Sequence, residues 1–349
     1  MTAGQGIAGP VLVTGANGHL GFNLALALQS AGHAVRASVR DPADAGRTAH
    51  LRAAGLSDLV ALDVTDAAAF HRAVQGIDTL FHCAATYRYW TGSAEADAAM
   101  IRDSVEGATN AVRAAAGAGV RRLVLTSSVV AVPLSRRRDA PATEADWQDD
   151  LSMPYFRAKT EAERAAWALA AELGVDMVAV LPGAIIGPGF ARRTTTTDLI
   201  ENAMVGGYRF GVPNSTLPLV DVRDVARAHV LAAGPGARGR YLVVNEPQPH
   251  FREVVSVLRR VEPAVPRTLV TMPGFMLGMV PLAEALNVRV LGGRRVVSEV
   301  FARAIRGRWW VYSCEKARRE LGWRPEVPLD QSLADTVAVL RRLRAPAAA

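Results

Sequence analysis

Cysteine is nearly absent. Cys83 and Cys314 are the whole complement of a 349-residue chain, which excludes a disulfide framework and any cysteine-based metal site. Cys83 sits in an apolar run, where a buried, inert thiol is the ordinary state. The seven histidines show no HxxxH or similar spacing, so no metal is expected. There is no basic segment followed by an apolar run at the N-terminus, hence no expected secretory signal; a reducing, cytoplasmic setting fits. Long hydrophobic runs are missing too. Thr268 to Ala283 carries no charge, but it is broken by Pro273, Gly274, Gly278 and Pro281 and is too short to span a bilayer. It reads as the wall of an apolar pocket, with contact to a membrane surface as the alternative. The net charge of +7 comes mostly from arginines scattered among acidic residues, and the densest run, Arg136 to Arg138, is followed by Asp139. Without a basic stripe or a known module, no nucleic-acid partner is expected.

What is present is rhythm. Half of the residues are hydrophobic, enough for a large core in two closely joined lobes. Through residue 181, short β-branched runs alternate with alanine-rich segments: Val11–Thr14, His33–Val39, Val60–Leu62, Thr79–His82, Arg122–Thr126 and Asp176–Leu181 against helices near 23–31, 67–74, 95–118 and 155–173. That alternation predicts α/β architecture, a Rossmann-type doubly wound parallel sheet. Beyond Pro182 the segments become irregular and rich in Pro and Gly. Leu217–Val222 reads as a return to the sheet, Arg223–Ala233 as its helix with Asp224 at the start, and Arg240–Val244 as a late strand. The expected division is a dinucleotide-binding domain over 1–185, with 217–244 returning to it, and a smaller, mostly helical substrate lobe over 186–216 and 245–349. The helix 329–343 is expected to pack on that lobe.

Gly15, Gly18 and Gly21 lie between a strand and a helix, the context that gives a GxxGxxG its meaning. The first glycine permits a tight turn, the second lets the backbone approach a pyrophosphate, and the third lets helix and strand pack closely. With Asn17, His19 and Leu20 they would cradle phosphates on the positive helix end. The second strand ends at Val39 and is followed at once by Arg40; Asp41 comes one residue late and precedes Pro42, so it reads as the start of a turn. A carboxylate at the strand end would bond a ribose 2′-hydroxyl, whereas an arginine suits a 2′-phosphate. NADPH is therefore expected over NADH. Asp63 and Val64 would bracket the adenine, with Asp63 accepting from the exocyclic amine or, alternatively, capping the next helix.

Tyr155 and Lys159 form a YxxxK pair, one turn apart on a helix. A nearby ammonium stabilises a phenolate and lowers a pKa that is ordinarily about 10. Such a tyrosine can exchange a proton with a substrate oxygen near neutral pH. Ser127 and Ser128 lie between this pair and the glycines in the chain.

Taken together, Thr14–Gly21, Asp63-Val64, Phe81–Ala85, Leu125–Ser128, Tyr155…Lys159 and Leu181–Pro188 resemble the extended short-chain dehydrogenase/reductases, of the NAD-dependent epimerase/dehydratase superfamily. Val35–Pro42 and Ala85–Trp90 resemble their dihydroflavonol-4-reductase-like branch, and Tyr312–Trp323 is similar to the family's C-terminal signature. The resemblance implies an oxidoreductase on carbonyl and alcohol groups. In it Ser128 partners Tyr155, with Ser127 as the fallback, and Lys159 also holds the nicotinamide ribose. Thr126, Ala84, Ala85, Pro182, Gly183 and Ile185 line the cofactor. A homodimer is that family's habit. The family commonly has Asn where this chain has Ser104, at a position that helps organise a water-mediated proton relay; Ser104 keeps a hydroxyl but lacks the amide's two ends.

The expected function is an NADPH-dependent ketone or aldehyde reductase, with Tyr155 donating the proton. Tyr87, Tyr89 and Trp90 with Met153, Phe190, Phe275 and Met276 would form an apolar, aromatic pocket beside Ser128, in which Arg88 would meet a carboxylate. The alternatives are a 3β-hydroxysteroid dehydrogenase or β-keto acid reductase, a sugar-nucleotide epimerase or dehydratase, and a non-enzymatic NADP-binding redox sensor.

Overall fold

The computed structural model describes residues 6–85, 93–273 and 306–344. The apolar runs form the expected strands. β1 (Val11–Thr14), β2 (Val35–Val39), β3 (Leu59–Ala61), β4 (Thr79–His82), β5 (Arg122–Thr126), β6 (Met177–Pro182) and, later, Gly239–Val243 make one seven-stranded sheet. All of its pairings are parallel. The order is β3-β2-β1-β4-β5-β6, closed by Gly239–Val243. Between β1 and β4 the direction of travel reverses, and open α/β sheets bind their ligands at such a point. Every residue of β1, β4 and β6 is buried, as continuous apolar runs in a covered parallel sheet should be.

Helices cover both faces. α1 (His19–Ser30) and α7 (Val222–Ala232) share one core with the sheet, joined by α2 (Ala45–Ala53) through Leu51. α3 (Ala67–Ala73), α4 (Ala94–Ala118) and α5 (Pro154–Leu173) share the core on the opposite face. A third apolar cluster joins α6 (Thr195–Met204), α8 (Phe251–Val261) and α10 (Leu329–Arg344), the last supplying Leu333, Val337 and Leu340. Between them, α9 (Glu315–Leu321) places Ala317 in the first core.

Two expectations need correcting. The segment around Leu217–Val222 does not rejoin the main sheet. Its strand β9 (Leu219–Asp221) pairs with β7 (Ala184–Ile186) in a separate two-stranded sheet, because Pro182-Gly183 turns the chain out of β6 and carries β7 away from the layer. The late strand, β10 (Gly239–Val243), does return, beside β6. Nor does Asp224 start α7. Asp221 caps it, accepting from Arg223 N at 2.8 Å. Asp224 lies within the first turn and accepts from Glu326 N and Val327 N at 3.0 Å each, tying the C-terminal segment to α7. The uncharged stretch is described only to Pro273. Its Val270–Met272 forms β11 against β8 (Gly211–Pro213), and the remainder lies outside the described residues.

Candidate functional site

At the switch point a cavity of about 400 Å³ opens above β1 and β4. Its base is the glycine loop. Gly15 has φ +66 with Ala84 packed against it, and a Cβ on Gly21 would meet the Gly15 carbonyl oxygen at 2.3 Å. Both positions therefore demand glycine. Gly18 precedes α1 as its cap residue and offers no side chain, and no acidic residue lies in the first turn. By contrast, α2, α3, α4, α6 and α7 are capped by the side chains of Asp44, Asp66, Ser93, Thr194 and Asp221. The first N–H groups of α1 thus keep their donors for an anion. This uncapped, glycine-framed helix start fits the pyrophosphate of a dinucleotide. Gly15, Asn17 and Gly18 line the cavity. His19 and Leu20 turn inward instead: the His19 ring bonds Pro188 O at 2.9 Å, and Leu20 joins the core. Their contribution is the backbone. Burial holds His19 near pKa 4, hence neutral.

The second-strand end brings Ser38, Val39, Arg40, Asp63 and Val64 to the cavity. The Arg40 side chain is 71% exposed and stands 4.0 Å from Asp63, a loose contact that leaves its guanidinium available. Asp63 accepts from the Thr65 N–H at 3.1 Å and hydroxyl at 2.8 Å, bonds that hold its carboxyl below the ordinary value. The helix cap considered for it belongs to Asp66. Asp41 starts a turn, accepting from Ala43 N at 2.8 Å. Arg36 belongs to the scaffold, bonding Asp58 and the carbonyls of Ala73 and Gln75. Arg47 and Arg192, not among the expected site residues, also stand on the cavity wall. An arginine in the first turn of α2, soon after the Arg40 that follows β2, was a usable signal for Arg47, which pairs with Asp44 at 2.9 Å. Arg192 lies in an irregular segment and carried none.

At the other end, Tyr155 and Lys159 occupy the first two turns of α5, which Pro154 opens. Tyr155 is buried. The Lys159 ammonium donates to Thr126 O at 3.4 Å and lines the cavity with Ala84, Ala85 and Thr126. Burial lowers its pKa to about 8, with Glu163 pulling the other way. The Thr126 hydroxyl faces away, 2.8 Å from His229 Nε2, so the backbone carbonyl serves the lysine. His82 ends β4 beside it. The Thr14 hydroxyl accepts from Cys83 N and Ala84 N and so gives its proton to His82 Nδ1, 3.0 Å away. Burial, and then the Lys159 charge, drops His82 to about 3. The Cys83 thiol, pushed up to about 12 by burial, stays protonated and inert.

The two serines separate cleanly. Ser127 donates to the buried Glu163 at 2.6 Å, whereas Ser128 accepts only a 3.3 Å contact from Val130 N among the described residues. Ser104 lines the cavity but spends its proton on Met100 O at 2.7 Å. Pro182, Gly183 and Ile185 lie at the β6–β7 corner, where a Cβ on Gly183 would overlap Pro218 O. Met153 is packed in the core, 1% exposed. Phe190 is also buried, against the His19 ring. Tyr87, Arg88, Tyr89, Trp90, Phe275 and Met276 lie outside the described residues. Among the described residues no group of His, Cys, Asp or Glu could hold a metal ion, and no helix is long and apolar enough to cross a membrane.

A glycine-framed dinucleotide cleft and a Tyr-Lys helix on a doubly wound sheet define the extended short-chain dehydrogenase/reductase class. The chain matches the NAD dependent epimerase/dehydratase family over residues 11–244. It is 36% identical over 270 residues to cinnamoyl-CoA reductase 1 of Oryza sativa subsp. japonica, covering 74% of this chain and 77% of that one. It is 34% identical over 258 residues to dihydroflavonol 4-reductase of Zea mays, covering 69% and 71%. The crystal structure of gox2253 superposes with a TM-score of 0.80 at 27% identity, over 97% of this chain and 99% of that one. A UDP-glucose 4-epimerase of Thermotoga maritima reaches 0.71 at 18% identity over 96% and 99%, a likeness of fold alone. The chain belongs to the NAD dependent epimerase/dehydratase family. Within it, the chain falls in the dihydroflavonol 4-reductase-like branch of oxidoreductases.

Proposed function

We propose that this protein is an NADPH-dependent reductase of ketones or aldehydes, acting on an apolar or aromatic substrate. The observation that carries the reading is the pairing of a helix start open to anions with Lys159, held on the Thr126 carbonyl one turn from Tyr155. Bound dihydronicotinamide would supply a hydride to the carbonyl carbon. Tyr155 gives its phenolic proton to the oxygen as charge develops there. Ser128, whose hydroxyl proton is not spent on Glu163 as that of Ser127 is, donates to the same oxygen and orients it. The Lys159 charge stabilises the tyrosinate left behind and holds the cofactor's ribose. Arg40, with Arg47 lining the same cavity, supports a 2′-phosphate and hence NADPH; the same cations disfavour the NAD-retaining sugar-nucleotide reading. The reductase names of the relatives agree with the reaction class.

The test is a spectrophotometric screen of NADPH oxidation with aromatic aldehydes, diketones, β-keto acids and ketosteroids. Oxidation dependent on a carbonyl compound, faster with NADPH than with NADH, is the expected result. Turnover of UDP- or TDP-sugars with none of these carbonyls would replace the proposal with the epimerase reading.

A further inference from the structure

Four residues of α5, Tyr155, Lys159, Glu163 and Trp167, follow one another at one-turn spacing. The first two belong to the site, and the third is unexplained by it. Glu163 is 1% exposed and ionically paired with Arg240 of β10 at 2.7 Å. Its Oε1 also accepts from Trp167 Nε1 at 3.2 Å, and its Oε2 accepts from Ser127 Oγ at 2.6 Å and Arg240 Nη2 at 3.3 Å. Arg240 in turn donates to the carbonyls of Ala131, Glu144 and Asp146 and lies 3.7 Å over the Trp147 ring. A buried ion pair carries a large desolvation cost and is weak evidence for stability, so stability alone does not account for this one.

The surroundings of Lys159 suggest a use. Its cavity is shared with Glu163, Ser127, His82, Cys83, Asp103 and Ser104. His82 is neutral, Cys83 is a thiol, and the Ser104 proton is committed to its own helix. Lys159 makes no ion pair among the described residues. Asp103 is exposed; Glu163 is therefore the buried carboxylate of this cavity whose charge acts on both Arg240 and Lys159.

We infer that Glu163, clamped by Ser127 and Arg240, is a positioning residue that keeps Lys159 charged at the site. Removing its charge leaves Arg240 and Lys159 as two like charges in one low-dielectric region, and only the lysine can readily lose its proton. The inference rests on Lys159 being the tyrosine's partner, yet it can be read without any substrate.

The sequence makes the measurement direct, because the chain has only two lysines, Lys159 and Lys316. With [ε-13C]lysine incorporated, NMR titration of the full-length protein reports both groups separately, and Lys159→Arg assigns them. In the native protein the Lys159 signal is expected to titrate near 8. In Glu163→Gln its midpoint should fall by about one unit or more, with Lys316 unmoved. If the Gln variant does not fold, Glu163→Asp withdraws the charge by one methylene and should produce a smaller fall in the same direction. An unchanged Lys159 midpoint in whichever variant folds overturns the inference, whatever happens to activity. A protein that binds no NADPH but shows the shift would instead sink the functional reading and leave this one standing.

Discussion

Gly21→Ala adds one methyl group at the most crowded point of the cofactor cradle. The new Cβ would lie 2.3 Å from Gly15 O, 2.8 Å from Gly15 C and 3.0 Å from Ala16 Cα. All three neighbours are backbone, so no side chain can swing away. Gly15 cannot retreat either, with the Ala84 backbone packed on its other side. Overpacking of this kind costs about 1–3 kcal/mol, while an alanine in a helix interior returns about 0.5–1 kcal/mol. The net is a destabilisation of about 1–2 kcal/mol. The function should suffer more. The strain is relieved by shifting the loop that leads into the open N–H groups of α1, and one misplaced charge-assisted bond costs about 1.5–3 kcal/mol, or 10–100-fold in affinity. NADPH fluorescence titration and thermal unfolding, run beside Gly117→Ala, test this. At Gly117 a Cβ meets only the His71 ring, at 3.7 and 3.9 Å, so that variant should bind normally and be unchanged or slightly stabilised. If Gly21→Ala binds NADPH as the native protein does and melts no earlier, the cradle reasoning is refuted.

Further outcomes follow from the same geometry. Ser128→Ala should lower kcat by about 100-fold. Ser127→Ala should keep kcat within a few-fold and lose about 1–2 kcal/mol of stability, because Glu163 loses a donor; equal kcat losses would dissolve the distinction. Arg40→Ala should weaken NADPH about tenfold and leave NADH unchanged, whereas a parallel loss of both would place Arg40 elsewhere than at the 2′-phosphate. Burial holds His19, His82 and His229 near 4, 3 and 4, against about 6.5 in the unfolded chain. The unfolded chain then binds the extra protons, so the stability from these neutral rings is complete above about 6.5 and drains away as pH falls towards 4. Unfolding free energies from urea titrations should drop between pH 7.5 and pH 5, by about 2 kcal/mol per histidine at the lower pH; a flat profile would contradict the burial.

The layout of the parallel sheet was legible because its signals are local. Strand runs, the glycine spacing and the Tyr-Lys turn each lie within a few residues. The errors came where pairing, not composition, decides. Leu219–Asp221 has the look of a sheet strand, but the turn at Pro182-Gly183 gives it a partner in β7 and a sheet of its own. Asp224 has the right type for a cap, yet Asp221 lies at the helix start and takes the role. The Ser127–Glu163–Arg240 cluster was invisible because its members are far apart in sequence and meet only when β5, α5 and β10 pack. Nothing in an arginine's neighbours along the chain reveals a glutamate across a sheet. Sequence could name both serines; only the fold shows that one of them already has a carboxylate.

The central claim is that Tyr155 delivers the proton. Tyr155→Phe removes one hydroxyl and preserves the ring, which is packed in the core. With any carbonyl compound that the native protein reduces, kcat should fall by 100-fold or more, with the Kd for NADPH unchanged. A variant that retains the native rate would contradict the account.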